Sequence, residues 1–296
     1  MKRNGKSQRK AAFGQVTIVA PGLLGGSLGM ALRERHAARE VVVWARRPEN
    51  ADAAVRKGAA DRKEADLAEA VRGADLVVLC CPIDAMPALA RKMKRGLSKK
   101  TLVTDVGSVK YEVVRSVGHA LGKSAPFIGS HPMAGSERSG LAAAKSDLFE
   151  GSVCLLTPTD DTSETRLEKL AQFWRSVGCR IGTLSPSDHD EVVARVSHLP
   201  HLTAGALINL ASRHGAEVFR YVGNGFRDMT RIASGPPELW VGICEANREE
   251  IVRALDEMID QLSGLRRILA NADMPALAGL LRKAKALRDD LPHHAS

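Results

Sequence analysis

VTIVAPGLLGGSLGMAL, residues 16–32, runs from a β-branched apolar stretch through a glycine-rich turn into a series of helix formers. Strand, glycine turn and helix in that order form the frame in which a helix N-terminus receives a dinucleotide pyrophosphate. The usual fingerprint is G-x-G-x-x-G, and here Ala20 stands in place of its first glycine. Proline steers the residue before it toward extended backbone, so Pro21 is expected to hold Ala20 extended and to fix a turn that glycine would otherwise free. The second and third glycines remain as Gly22 and Gly25. The former lets the backbone approach phosphate, and the latter lets the helix approach the strand. Gly22, Leu23, Leu24 and Gly25 therefore make up the candidate phosphate cradle.

Outward from this turn, EVVVWA (40–45), DLVVLCCP (75–82), TLVTDVG (101–107) and SVCLLTP (152–158) are short apolar runs separated by helical stretches. Continuous rather than alternating apolar runs are what a parallel sheet covered on both faces requires. They predict a doubly wound, Rossmann-like α/β domain over residues 14–184. After Leu184 the pattern turns helical. Ser185-Pro186-Ser187-Asp188 supplies an N-cap, a first-turn proline and an acidic residue, so a helix is expected to start there. Val192, Val193, Val196 and Leu199 are expected to share one face of it, and Pro200 to kink it rather than end it. Leu239, Ile243, Ile251, Leu255, Met258, Ile259, Leu262 and Leu265 predict a single amphipathic helix from Glu238 to about Asn271. An all-α domain over 185–296 has to bury these stripes, and a homodimer formed through it is the expected solution.

The bulk numbers exclude several classes. A chain of 296 residues, 44% hydrophobic and 26% charged, is ordinary globular material for about two domains. Its net charge of +9 falls to +4 once Lys2, Arg3, Lys6, Arg9 and Lys10 are set aside, so residues 1–13 read as a disordered basic tail and no nucleic-acid partner is expected. Five cysteines without CxxC spacing suggest neither a disulfide framework nor a zinc site, and point to a reducing cytoplasm. The uncharged run 12–32 contains five glycines and a proline, which argues against a membrane span or signal sequence. His189, His198 and His201 cluster around Pro200, but HxxH without further ligands is a poor metal motif, and no metal is expected.

Two further strand ends carry chemistry. The second run closes in Arg46-Arg47, with no carboxylate to bind ribose hydroxyls. A guanidinium there pairs with a 2′-phosphate, which favours NADP over NAD, although Arg46 stacking on adenine would leave NAD open. Pro82 and Ser108, in or after later strand ends, complete the candidate cofactor contacts. Ser108 in DVGSVK and His131 in GSHPMAGSE lie where loops surround a nicotinamide. An imidazole is the side chain best suited to take a hydroxyl proton as hydride leaves the same carbon, and a serine nearby can orient both. Arg231, in the glycine-rich region NGFRDMTRIASG, is a candidate carboxylate grip.

The ordered set APGLLGGS, DVGSVK, GSHPMAGSE, HDEVVARVSHLPH and GFRDMTRIA closely resembles the prephenate and arogenate dehydrogenase family of tyrosine biosynthesis, over roughly residues 15–270. The resemblance implies oxidative decarboxylation of prephenate to 4-hydroxyphenylpyruvate with NAD(P)+ as hydride acceptor, the alternative being arogenate to tyrosine. Position by position, it makes His131 the catalytic histidine and Ser108 the serine linking it to substrate hydroxyl and nicotinamide. Arg231 becomes the carboxylate-binding arginine, assisted by His201, with Ser136 and Glu137 as pocket residues beside the catalytic loop. The chain departs from the family pattern at Ala20 and at Asn224, where a glycine is common.

Two rivals stand beside this reading. A 3-hydroxyacid dehydrogenase shares the architecture but uses a catalytic lysine on a helix of the second domain, and residues 185–281 contain no lysine. A non-catalytic NADP-binding sensor is the other, suggested by Ala20-Pro21.

Overall fold

The computed structural model describes residues 12–136 and 138–291. The described residues form two compact units, one running to residue 190 and including 234–246, the other made of 191–233 and the chain from 247 onward. One later helix, within residues 234–246, belongs to the first unit.

In the first unit, β1 (Phe13–Val19), α1 (Leu23–Glu34), β2 (Ala38–Trp44), α2 (Pro48–Arg56), β3 (Arg62–Lys63), α3 (Leu67–Ala70), β4 (Leu76–Leu79), α4 (Met86–Met93) and β5 (Leu102–Asp105) alternate along the chain. The five strands form one parallel sheet in the order β3-β2-β1-β4-β5. Its central register runs Val41, Val16, Leu76, Leu102, all buried, and the apolar runs of the sequence thus lie between two helical layers. The order reverses direction between β1 and β4, so the carboxyl ends of these strands open the crevice in which α/β sheets bind ligands. The two-residue β3 carried no apolar run for sequence reading to detect.

The unit continues with α5 (Tyr111–Leu121), β6 (Gly129–Pro132), β7 (Val153–Thr157), α6 (Glu164–Ser176), β8 (Arg180–Thr183) and the start of α7 (Pro186–Val193). Here the expectation of one sheet needs correction. SVCLLTP is β7, but it lies in a separate three-stranded sheet, antiparallel to β6 and parallel to β8. Residues 126–128 hydrogen-bond along Val103 of β5 before β6 turns to pair with β7, so one segment serves both sheets. A second correction concerns the tail. Phe13 was expected to close it, yet begins β1 and is 2% exposed, edge-on to Phe173 at 5.3 Å in an aromatic cluster with Trp174 and Phe149. Residues 1–11 of the expected tail lie outside the described residues.

α7 passes directly into a π-helical turn, Ala194–His198, and then α8 (Leu199–Ser212). Pro200 has no N–H to donate, and the helix accommodates it by widening one turn ahead of it rather than stopping. That wide turn also breaks the expected apolar face: Val193 and Leu199 are buried, whereas Val192 and Val196 are exposed. α9 (Asn224–Thr230), α11 (Arg248–Ala270) and α12 (Met274–Asp289) complete the second unit, while α10 (Pro237–Ala246) is assigned to the first. The single helix expected over 238–271 is therefore two, α10 and α11, broken at Asn247. Among the described residues no helix is long and apolar enough to cross a membrane.

Candidate active site

The expected cofactor residues all follow carboxyl ends of the parallel sheet. The Gly22–Gly25 turn follows β1, Arg46 and Arg47 follow β2 and are exposed, Pro82 follows β4, and half-buried Ser108 follows β5. Gly22 is the N-cap of α1, no side chain caps it, and the first turn carries no acidic residue. The first N–H groups of α1 are thus left to an external acceptor. A methyl group added at Gly22 would meet nothing within 4 Å, so the turn has open space above it. At Gly25 it would lie 3.0 Å from both Cys80 Cβ and Ile18 Cγ2 and 3.1 Å from the Ala20 carbonyl oxygen, so close packing of helix on strand requires glycine there.

Ala20 does not take the extended conformation expected of it. Its φ is +67°, in the left-handed region, with its N–H donated to Trp44 O (2.8 Å) and its carbonyl accepting the Gly22 N–H (2.9 Å). The tight reversal between strand and helix overrides the preference imposed by Pro21. A Cβ in this conformation costs about 1–2 kcal/mol, which is the reason glycine is usual at this position.

His131 lies within β6 rather than in the loop after it, paired with Leu155 and 7% exposed. Its Nδ1 is 2.9 Å from Nε2 of His189, whose own Nδ1 is 2.7 Å from Asp190 Oδ1. His189 is fully buried and Asp190 nearly so. Burial pushes the His189 pKa below the usual imidazole value, with Asp190 opposing and Lys110 assisting. The proton assignment that satisfies all three groups has neutral His189 donating to Asp190, and His131 Nδ1–H donating to His189. Nε2 of His131 is then its basic nitrogen.

Two buried carboxylates hold this arrangement. Asp105, at the end of β5, accepts the N–H of Gly107 (2.7 Å) and of Ser130 (3.1 Å), and forms a fully buried ion pair with Lys110. Asp190 accepts the backbone N–H of Lys110 (2.7 Å) and Tyr111 (2.9 Å), which also closes the N-terminus of α5. Ser108 sits inside the segment so tied, and Ser130 directly precedes His131. The sequence reading singled out neither Asp105, Lys110 nor Asp190, and took His189 only as one of three histidines clustered around Pro200 with no metal to bind. A carboxylate ending an apolar strand was the available signal, because a buried charge demands a partner.

Ser136 is exposed in the loop after β6, its Oγ accepting the Arg138 N–H at 3.1 Å. Glu137 lies outside the described residues. In the second unit His201 is half-buried on α8, with burial lowering its pKa, and Arg231 opens an exposed 3-10 turn, Arg231–Ser234.

Comparison with known proteins converges on one family. Residues 28–183 match the model of the prephenate dehydrogenase nucleotide-binding domain, and residues 185–283 match that of the prephenate dehydrogenase dimerization domain. Prephenate dehydrogenase of Bacillus subtilis is 32% identical over 94% of this chain and 76% of its own length. The crystal structure of Aquifex aeolicus prephenate dehydrogenase with hydroxyphenyl propionate and NAD+ superposes with a TM-score of 0.87 at 34% identity, covering 94% of this chain and 98% of that one. Synechocystis arogenate dehydrogenase follows at 0.81 and 30%, covering 94% and 100%. With both of its domains matched in order and these relatives aligned over most of their length, the chain belongs to the prephenate dehydrogenase family.

Proposed function

We propose that this protein oxidatively decarboxylates prephenate, passing hydride to a nicotinamide dinucleotide, with His131 as general base. The observation that carries the reading is the Asp190–His189–His131 chain, in which Asp190 orients His189 and His189 orients the His131 ring through its Nδ1. The Aquifex enzyme, solved with NAD+ and an aromatic acid, supports the same reaction class.

The uncapped start of α1 and the open space at Gly22 fit a pyrophosphate held by the backbone of Gly22, Leu23, Leu24 and Gly25. Pro82 and Ser108 line the same strand ends. When bound, the nicotinamide supplies the hydride acceptor. Arg46 and Arg47 favour NADP at the adenosine end, whereas the Aquifex complex holds NAD+. Prephenate is a dianion whose ring bears a hydroxyl. Arg231 grips a carboxylate, His201 assists, and Ser136 and Glu137 shape the pocket. Ser108 orients the hydroxyl, and Nε2 of His131 takes its proton as the carbon loses hydride. The developing imidazolium is stabilised through His189 by Asp190, and loss of the ring carboxylate then yields an aromatic product, which drives the step forward. The protein works as a homodimer through its helical domain.

The test crosses prephenate and arogenate with NAD+ and NADP+ and follows reduced-nicotinamide absorbance. Turnover of prephenate is expected with at least one cofactor. Turnover of arogenate alone would move the assignment to the Synechocystis type, and cofactor binding with no turnover of either would make the chain a sensor. Arg231→Ala is expected to raise KM for prephenate with kcat little changed, and His131→Ala to lower kcat.

A further inference from the structure

Ser108 and His131 lie on different strand ends, and proton transfer demands that they be held in one geometry. The buried groups behind them do this in an unusual way. Asp105 binds Gly107, the residue before Ser108, through one oxygen and Ser130, the residue before His131, through the other. A second tie doubles the first, because the Ser130 hydroxyl donates to the Asp105 main-chain carbonyl (2.6 Å) and lies 2.8 Å from Thr104 Oγ1. Lys110 then closes the loop around Ser108. Its ammonium pairs with Asp105, and its backbone N–H donates to Asp190, the carboxylate at the end of the His131–His189 chain. Both side chains of the ion pair are fully buried. A buried ion pair is weak evidence for stability, since desolvation offsets most of its attraction. Its value must be sought in what it positions.

We propose that Asp105 and Lys110 are a positioning pair that sets the geometry between Ser108 and the His131 ring. Neither residue touches the reacting atoms. Asp105 joins the serine segment to the histidine strand through Gly107 and Ser130, and the Lys110 ammonium holds that carboxylate in place, while the Lys110 main chain ties the same segment to Asp190. This inference rests on the function proposed above.

The test uses the full-length protein and the double variant Asp105→Asn/Lys110→Met. Removing both charges avoids stranding one of them in the interior, and asparagine keeps an acceptor for one backbone N–H. Folding is checked by thermal melting, and kcat, KM for prephenate and Kd for dinucleotide are measured. The expected result is a kcat lowered about 10–100-fold, with KM and Kd each within about twofold, the signature of misplaced reacting groups. Lys110→Met alone should melt earlier than the double variant. A second readout needs no turnover: ¹⁵N NMR of the His131 ring should report a fixed Nδ1–H tautomer in the parent and an averaged one in the double variant. A double variant with parental kcat and an unchanged ring spectrum overturns the positioning role while leaving the reaction intact. A parent that turns over neither substrate, yet whose ring tautomer changes in the double variant, overturns the reaction and retains the positioning.

Discussion

At the scale of single residues, Ala20 and His189 make opposite points. Ala20 carries a Cβ in the left-handed region at the one turn that must reverse between strand and nucleotide-facing helix. Ala20→Gly removes that penalty, and greater freedom of the unfolded chain takes some of the gain back, so a net stabilisation of up to about 1 kcal/mol is expected. Thermal unfolding should show a Tm raised by about 2 °C, and a lowered Tm would mean the alanine is not strained. His189, by contrast, is buried with a lowered pKa. In the folded protein it resists protonation, whereas in the unfolded chain it takes a proton near pH 6.5. Stability is therefore lost as pH falls from about 6.5 toward the lower folded-state pKa, where the loss levels off. His189→Gln should flatten this part of the profile in melts at pH 5 to 8. The same variant should lower kcat about 10–100-fold by removing the partner of His131.

Elements show how far sequence reaches and where it stops. The parallel strands were legible because burial on both faces leaves only apolar residues, as in LVVL of β4. Pairing was not: SVCLLTP looks the same in a parallel sheet or, as found, beside an antiparallel β6. Hydrophobicity records burial and not the neighbour's direction. The Glu238–Asn271 stripe likewise kept helical spacing across the break at Asn247. Ser108 and His131 stand out in the sequence because they sit in motifs after apolar runs, but the partners Asp105, Lys110 and Asp190 come together only through folding. Arg46 and Arg47 at the end of β2 give the prediction proper to this scale. Replacing both with alanine should weaken NADP binding at least tenfold and leave NAD binding within about twofold, by fluorescence titration. Equal losses for both would assign the arginines to adenine stacking.

For the whole molecule, α11 bears on the proposed assembly. Ile251 and Ala254 are buried, but further along Ile259 and Leu262 remain 57% and 55% exposed in one chain. An exposed helix face of this kind fits the homodimer proposed above, and it lies within the residues that match a dimerization domain. Sedimentation velocity should find a dimer, and Ile259→Asp with Leu262→Asp should shift it to monomer. The central claim concerns one nitrogen, Nε2 of His131, and its most direct test is a single-turnover experiment on His131→Asn, which keeps a polar group in β6 without a base. With prephenate and dinucleotide saturating, the variant should bind both with parental affinity while forming reduced nicotinamide at least about a hundredfold more slowly. Formation at the parental rate would show that the proton leaves by another route and that the Asp190–His189–His131 chain does not serve the reaction.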